Sequence, residues 1–260
     1  MNKPGAISLA KQSGSFVFDN MNMLMRHLRY LFPLLALLSF AEAFCAQQEV
    51  KWVPIALLIP NFIFLSLFVL SWHRASLRGT GEDHSINPFD ISQYDFRFIG
   101  VMFTLALVPL AAGVVFGAAA GILTKIAGLP DQTEKALFLL LGVPLIALLL
   151  ITMVKMYFVL PARSVGVKLG FGEARKISKG MVWPVIGANI LFSTGMALAV
   201  ILCGGVLGFV LYVVTGQEAN WISKYIVSLV GLLFGLVYIA LNVTALSRAY
   251  RWGAENNSSV

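Results

Sequence analysis

Residues 183–214 read WPVIGANILFSTGMALAVILCGGVLGFVLYVV, without a single charged side chain. A helix needs roughly 20 apolar residues to cross a bilayer. This run is longer than that, so it spans with tilt or with a bend at the Gly204-Gly205 pair. Its apolar positions are continuous and do not alternate with period two, which argues against a barrel strand. Five further runs of this kind lie at 28–46, 52–72, 98–123, 136–159 and 222–246. Composition agrees with them: the 260-residue chain is 58% hydrophobic and 12% charged, with mean hydropathy +0.83, where a soluble domain is about 25% charged. Too little polar surface is left to face water, which excludes a soluble enzyme, a disordered tail, a disulfide-knit secreted domain and a collagen-like fibre. The expected fold class is all-α: a polytopic membrane helical bundle of six transmembrane helices in three hairpins.

Charge sets the orientation of such a bundle, because Lys and Arg concentrate in cytoplasmic loops. Net charge is +7. The segments before span one, between spans two and three, between four and five, and after span six, together with Lys155 near the end of span four, hold all of the Lys and Arg except Lys51, Lys125, Lys135 and Lys224. Both termini are therefore expected in the cytoplasm. Residues 1–27 form a cytoplasmic N-terminal segment with an amphipathic helix, 28–247 the transmembrane domain and 248–260 a cytoplasmic tail. The external loops, 47–51, 124–135 and 215–221, are too short to form a domain. The apolar core at 31–45 looks like a signal peptide, but about thirty residues precede it, so it reads as a retained first span. Topology accounts for the positive charge, which leaves nucleic-acid binding without support. Cys45 and Cys203 cannot make a disulfide framework; they are either buried apolar thiols or one bridge.

Three cytoplasmic segments carry helical periodicity. Met21, Leu24, Met25 and Leu28 precede span one; Ile91, Tyr94 and Phe98 precede span three; Phe171, Ala174, Ile177 and Met181 precede span five. Each set lies on one helix face with charge opposite, and Asp19 and Asp90 stand where N-caps belong. Three short interfacial amphipathic helices are expected, each feeding an odd-numbered span.

The even-numbered spans end alike, in Trp72-His73-Arg74-Ala75-Ser76-Leu77-Arg78-Gly79, Leu160-Pro161-Ala162-Arg163-Ser164-Val165-Gly166 and Ser247-Arg248-Ala249-Tyr250-Arg251-Trp252-Gly253. The recurrence suggests a pseudo-threefold repeat of interfacial helix plus hairpin. Any hairpin protein with basic cytoplasmic ends would also show some of it. The second ending, followed by Gly172-Glu173-Ala174-Arg175-Lys176-Ile177-Ser178-Lys179-Gly180 and Trp183, and read with Trp72-His73-Arg74, resembles uncharacterised bacterial inner-membrane families of the YciC-like type. It is similar too to the membrane domain attached to some glycerophosphodiester phosphodiesterases. The resemblance implies a six-helix bacterial cytoplasmic (inner) membrane module without an established activity, and the phosphodiesterase catalytic domain is not in this chain.

Physically, Pro161 stops or kinks its helix, and Arg163 either snorkels or binds a lipid phosphate. Glu173 suits the first turn of a helix or clamps two hairpins by pairing with Arg163 or Arg74. His73 reads as an interfacial anchor. The basic ends supply the candidate lipid- or partner-binding residues: Trp72, His73, Arg74, Arg78, Arg163, Glu173, Arg175, Lys176, Lys179, Arg248 and Arg251. Within the spans, Glu42, Asn61, Asn189 and Asn242 are the intramembrane polar candidates. They are either interhelical hydrogen-bonding groups or the lining of a central path. Gly113-x3-Gly117-x3-Gly121 and Gly231-x3-Gly235 permit close helix approach, within the monomer or between copies.

Several chemistries leave no trace in the sequence. There is no phosphate-binding Gly-x4-Gly-Lys loop, no His-Glu-x2-His and no Gly-x-Ser-x-Gly. His27, His73 and His84 lack metal-ligand spacing. Glu82, Asp83, Asp90 and Asp95 form a loose cluster in a solvated loop without the paired presentation that acid–base catalysis needs. No cofactor, metal or enzymatic activity is expected. The leading expectation is a non-catalytic membrane module that binds anionic lipids on its cytoplasmic side, organises a membrane-protein assembly, or both; a homo-oligomer is one such assembly. The alternatives are a small-solute or lipid permease using Glu42, Asn61, Asn189 and Asn242, and a membrane enzyme with Arg163 and Glu173 facing a polar cavity.

Overall fold

The computed structural model describes residues 3–48, 52–78, 95–127, 131–215 and 221–257. Among them the chain forms nine helices: α1 (Ala6–Asp19), α2 (Met21–Gln47), α3 (Val53–Arg78), α4 (Phe96–Ala127), α5 (Asp131–Tyr157), α6 (Val159–Ser164), α7 (Phe171–Ile177), α8 (Val182–Thr215) and α9 (Trp221–Asn257). Six of them, α2, α3, α4, α5 continuing into α6, α8 and α9, are long and apolar enough to cross a membrane. Only 6% of the most apolar window of α8, and 11% of that of α4, is buried inside the protein. Ile190, Leu198, Ile201, Val206 and Phe209 of α8 are all exposed. An apolar surface this large is not tolerated in water; in a bilayer it is the solvated face. The chain is thus a polytopic all-α membrane protein.

α8 packs most extensively against α9, α2 lies along α3, and α3 also packs on α9. α1 lies across both α8 and α9. Its buried face is Leu9, Ser13 and Val17, at four-residue spacing, and the Ser13 hydroxyl is satisfied by the Leu9 carbonyl at 2.7 Å. Gly187 of α8 makes this crossing fit, since a Cβ there would lie 2.6 Å from the Ala6 methyl. At the other end of α1 the Asn20 side chain donates to the Phe16 carbonyl at 2.8 Å, and the chain turns directly into α2.

Three expectations need correction here. The pattern at Met21, Leu24, Met25 and Leu28 is not a separate interfacial helix but the first two turns of α2. The helix runs on because nothing between 21 and 47 interrupts its hydrogen bonds except Pro33, which it accommodates. Its buried face is Leu24, Leu28, Leu31 and Leu35, while Met25 is exposed. The separate amphipathic helix is α1, upstream of it. Asp19 is the last residue of α1 and accepts from Ser15 at 2.6 Å, so it caps no following helix. The third concerns 248–260: α9 passes through Arg248 and Arg251 without a break and ends at Asn257, with Ala249 fully buried.

Other details follow the sequence. α5 stops at Tyr157 and α6 restarts at Val159. Pro161 cannot donate to the carbonyl four residues back, and its ring crowds that carbonyl, which belongs to Tyr157. α7 forms as a short separate helix burying Ala174, and Gly180 (φ 84°) turns the chain into α8. α8 is one continuous helix through Gly204-Gly205. Cys45 and Cys203 are free thiols, so the bridge is not made. The Ile91–Tyr94 pattern, Asp90, Glu82, Asp83 and His84 lie outside the described residues.

Candidate functional site

The tightest packing gathers where the candidate residues of the basic ends meet. Trp72 is fully buried. Its indole N–H is shared between the Ala240 carbonyl (3.0 Å) and the Thr244 hydroxyl (2.9 Å) of α9. Phe16 of α1 and His27 of α2 meet its ring edge-on, at 6.1 and 5.4 Å, and Phe68 stacks on it at 6.3 Å. The neighbouring His73 is equally buried; its Nδ1 is 2.8 Å from the Ser247 hydroxyl, and its ring meets Phe98 of α4. These two residues therefore pin α3 to α1, α2, α4 and α9. They face neither lipid nor a partner, which corrects the expectation of binding roles for both and of an interfacial anchor for His73. With no exposed surface, neither side chain can touch an outside ligand.

The arginines around this hub divide into kinds. Arg74 Nε donates to the Ser164 carbonyl at 3.0 Å, at the C-terminal end of α6. Arg251 donates to the Leu77 carbonyl, in the last turn of α3. Both cap carbonyls at helix C-terminal ends, where a cation also suits the helix dipole. Arg248 reaches Gln12 of α1 at 3.4 Å and lies over the Phe16 ring at 5.6 Å. The half-buried Arg163 has its Nε without a hydrogen-bond partner. Glu173 pairs with neither Arg74 nor Arg163; its carboxylate accepts from the Gly170 N–H at 2.9 Å, completing the first turn of α7. The hairpin clamp is therefore not formed. Nor do Arg163 and Glu173 converge on a polar cavity, since Glu173 is exposed and occupied with its own helix.

Among the described residues, two recesses open at this end. One, of about 670 Å³, lies between α1, α3 and α9 and is lined by Gln12, Phe16, Arg78, Arg248, Arg251 and Glu255 among others. The other, of about 570 Å³, lies between the end of α5, α7 and the start of α8. Its lining among the described residues includes Lys155, Arg175, Lys176, Lys179 and Trp183 and no carboxylate.

The four intramembrane polar candidates do not come together. Asn61 donates to Glu42 at 2.8 Å, joining α3 to α2. Asn189 donates to Asn242 at 2.6 Å, joining α8 to α9. Tyr238 adds a hydroxyl to Asn189 at 3.1 Å, and Asn242 donates back to the Tyr238 carbonyl at 2.8 Å. Each group is spent on a helix contact, so a path lined by all four loses its support. The glycine stripes differ from expectation as well. Among the described residues a Cβ on Gly113, Gly117, Gly231 or Gly235 would meet nothing within 4 Å, so these faces show no close packing there. The surroundings of Gly121 lie outside what is described.

Sequence reasoning missed Asp95, whose carboxylate accepts from the Arg97 and Phe98 N–H groups at 3.1 and 3.0 Å and starts α4. An acid directly before an apolar run was the available signal. It also missed Gly187 and Gly253. A Cβ on Gly253 would strike the backbone of Ile177, which seats α7 on α9. No local pattern marks either glycine.

Among the described residues no three of His, Cys, Asp and Glu gather as a metal site. Comparison with known proteins found no match: no family model, no curated protein and no solved structure matches the chain. Fold and site together define a polytopic membrane helical bundle without an obvious catalytic metal cluster among the described residues.

Proposed function

We propose that this protein is a non-catalytic membrane module that binds anionic lipid headgroups at its basic end and organises a membrane-protein assembly from there. One observation carries the reading. The Trp72 and His73 side chains are buried inside the chain, with the indole N–H and His73 Nδ1 bonded to α9, whereas Arg78, Arg175, Lys176 and Lys179 are exposed. Exposed cations ringing the end of a membrane bundle attract anionic headgroups. The excess of Lys and Arg in alternate loops supports a cytoplasmic position for this end and for both termini. The hub joins the start of α2, the end of α3, the start of α4 and the end of α9, and this alternation supports three hairpins. The threefold repeat rests on sequence recurrence alone; Arg74, Arg163 and Arg248 occupy three different environments, and the function does not depend on it. The resemblance to YciC-like modules points to a bacterial inner membrane.

The test is gentle extraction of the full chain with its native lipids, followed by particle mass and lipid identification. Retained anionic lipid, or a reproducible protein partner, is the expected result. A bare monomer with no preference for anionic over zwitterionic lipid overturns the reading. Orientation is tested separately: reporters fused at Gly128 and Gly216 should read external and one at Gly170 cytoplasmic, and the reverse pattern places the basic end outside.

A further inference from the structure

We propose that the recess between α5, α7 and α8 is a headgroup site for a lipid bearing two phosphate charges, an inference that rests on the lipid-binding reading above. Three separate segments deliver its cations: Lys155 from the last turn of α5, Arg175 and Lys176 from α7, and Lys179 from the turn that follows. A fifth cation borders it, since the Lys3 ammonium lies 3.4 Å from where a Cβ on Gly180 would stand, and Gly180 forms part of the wall. Among the described residues no Asp or Glu lines the recess.

The contrast with the neighbouring arginines gives this cluster its meaning. Arg74, Arg248 and Arg251 donate to carbonyls or to Gln12. Among the described residues, Lys155, Arg175, Lys176 and Lys179 have no side-chain hydrogen-bond partner. Converging like charges repel, and the repulsion is relieved only by an anion of matching charge. One phosphodiester leaves most of the cluster uncompensated; two phosphate groups bridge it, with the planar guanidinium of Arg175 suited to bidentate contact.

The recess also identifies its ligand as a lipid rather than a free phosphate. Beside Ser178 and two glycines, its wall carries the apolar Ile151, Val182 and Trp183. Trp183 is exposed at the start of α8, and the outer faces continue along the spans through exposed Leu148 and Ile190. A headgroup held by the cations leaves its acyl chains on these faces, with the tryptophan at the level where indoles favour the interface.

The test uses the full-length protein, with cardiolipin as the two-phosphate probe, phosphatidylglycerol as the one-phosphate probe and phosphatidylcholine as the uncharged reference, read by native mass spectrometry. Wild-type protein should retain one cardiolipin at least about tenfold more tightly than one phosphatidylglycerol. The triple variant Arg175→Gln/Lys176→Gln/Lys179→Gln should lose that preference, and Arg175→Lys/Lys176→Arg/Lys179→Arg should keep it. If the triple glutamine variant does not fold, Lys179→Gln alone, on the exposed turn, should reduce the preference several-fold. An undiminished preference in the glutamine variants overturns this site while leaving general anionic-lipid binding intact. Loss of all preference for anionic lipid in the wild type overturns both readings. Inorganic diphosphate that binds the delipidated protein and displaces cardiolipin at equal concentration overturns the lipid assignment in favour of a soluble phosphate.

Discussion

Along α3 the two halves of the molecule can be compared residue by residue. Leu67, Phe68, Leu70, Trp72, His73 and Ala75 expose no surface, whereas Ile55, Leu58 and Ile59, three to five turns earlier, each expose more than 60%. The helix is the same and both stretches are apolar, so the difference comes from what surrounds them. At the basic end α1, α6 and α7 fill the spaces between the spans, and side chains from at least four helices close on Trp72. Toward the other end no helix among the described residues is inserted, and the apolar surface of α3, α4 and α8 is left to lipid. The bundle is thus held by one packed end, while the rest of each span relies on the bilayer for its solvent. A module built this way keeps one end rigid enough to present fixed cations and leaves long apolar faces open to lipid or to neighbouring helices.

The comparison is broken most directly at its centre. Trp72→Ala removes a fully buried indole and leaves the Ala240 carbonyl and the Thr244 hydroxyl without its N–H. Truncating a buried tryptophan costs about 3–5 kcal/mol, so the variant should be strongly destabilised in equilibrium unfolding in mixed micelles. A loss below about 1 kcal/mol would mean that the packed end does not hold the bundle together. Gly253→Ala comes next. The added methyl meets the Ile177 backbone, which cannot rotate away as a side chain could, and overpacking of this kind costs about 1–3 kcal/mol. The same assay should show it, together with faster proteolysis near α7.

The two halves also differ in how far the sequence discloses them. The six spans were legible because a run such as 183–214 needs no tertiary partner to explain it; the bilayer supplies the environment, and length and hydropathy suffice. Lys155, Arg175, Lys176 and Lys179 were legible as basic residues, but their convergence was not. The packed end was misread for the opposite reason. Trp72 finds its acceptors on α9, 168 and 172 positions away in sequence, and nothing near it says whether an interfacial-looking Trp-His-Arg faces outward or inward. The glycines make the same point. The regularly spaced ones at Gly113 and Gly117 suggested close packing and have none among the described residues, whereas Gly187 and Gly253 stand alone in sequence and sit at true helix contacts.

A smaller effect is expected within the membrane. Asn189→Leu removes the donor to Asn242 and the acceptor for Tyr238, and interhelical hydrogen bonds in membranes contribute about 0.6 kcal/mol on average and up to about 1.7. A loss in that range, unaffected by Glu42→Gln in the same molecule, identifies two independent helix contacts. Strong non-additivity between the two substitutions would instead couple the α2–α3 pair to the α8–α9 pair and restore the idea of a shared polar path.

The smallest effect sharpens the comparison furthest. Gly113→Ala/Gly117→Ala adds two methyl groups to an α4 face where neither meets an atom within 4 Å. Alanine is the better helix former, by up to about 1 kcal/mol per residue in water, so the variant should be as stable as the parent or slightly more so, with unchanged particle mass. This is the opposite sign to Gly253→Ala for the same chemical change. Should the α4 variant instead lose stability, with the particle falling to half its mass, the open face is covered in the membrane by a second copy, because no contact among the described residues accounts for the loss. The bilayer-facing half would then be a packed surface after all, one whose partner lies on another molecule.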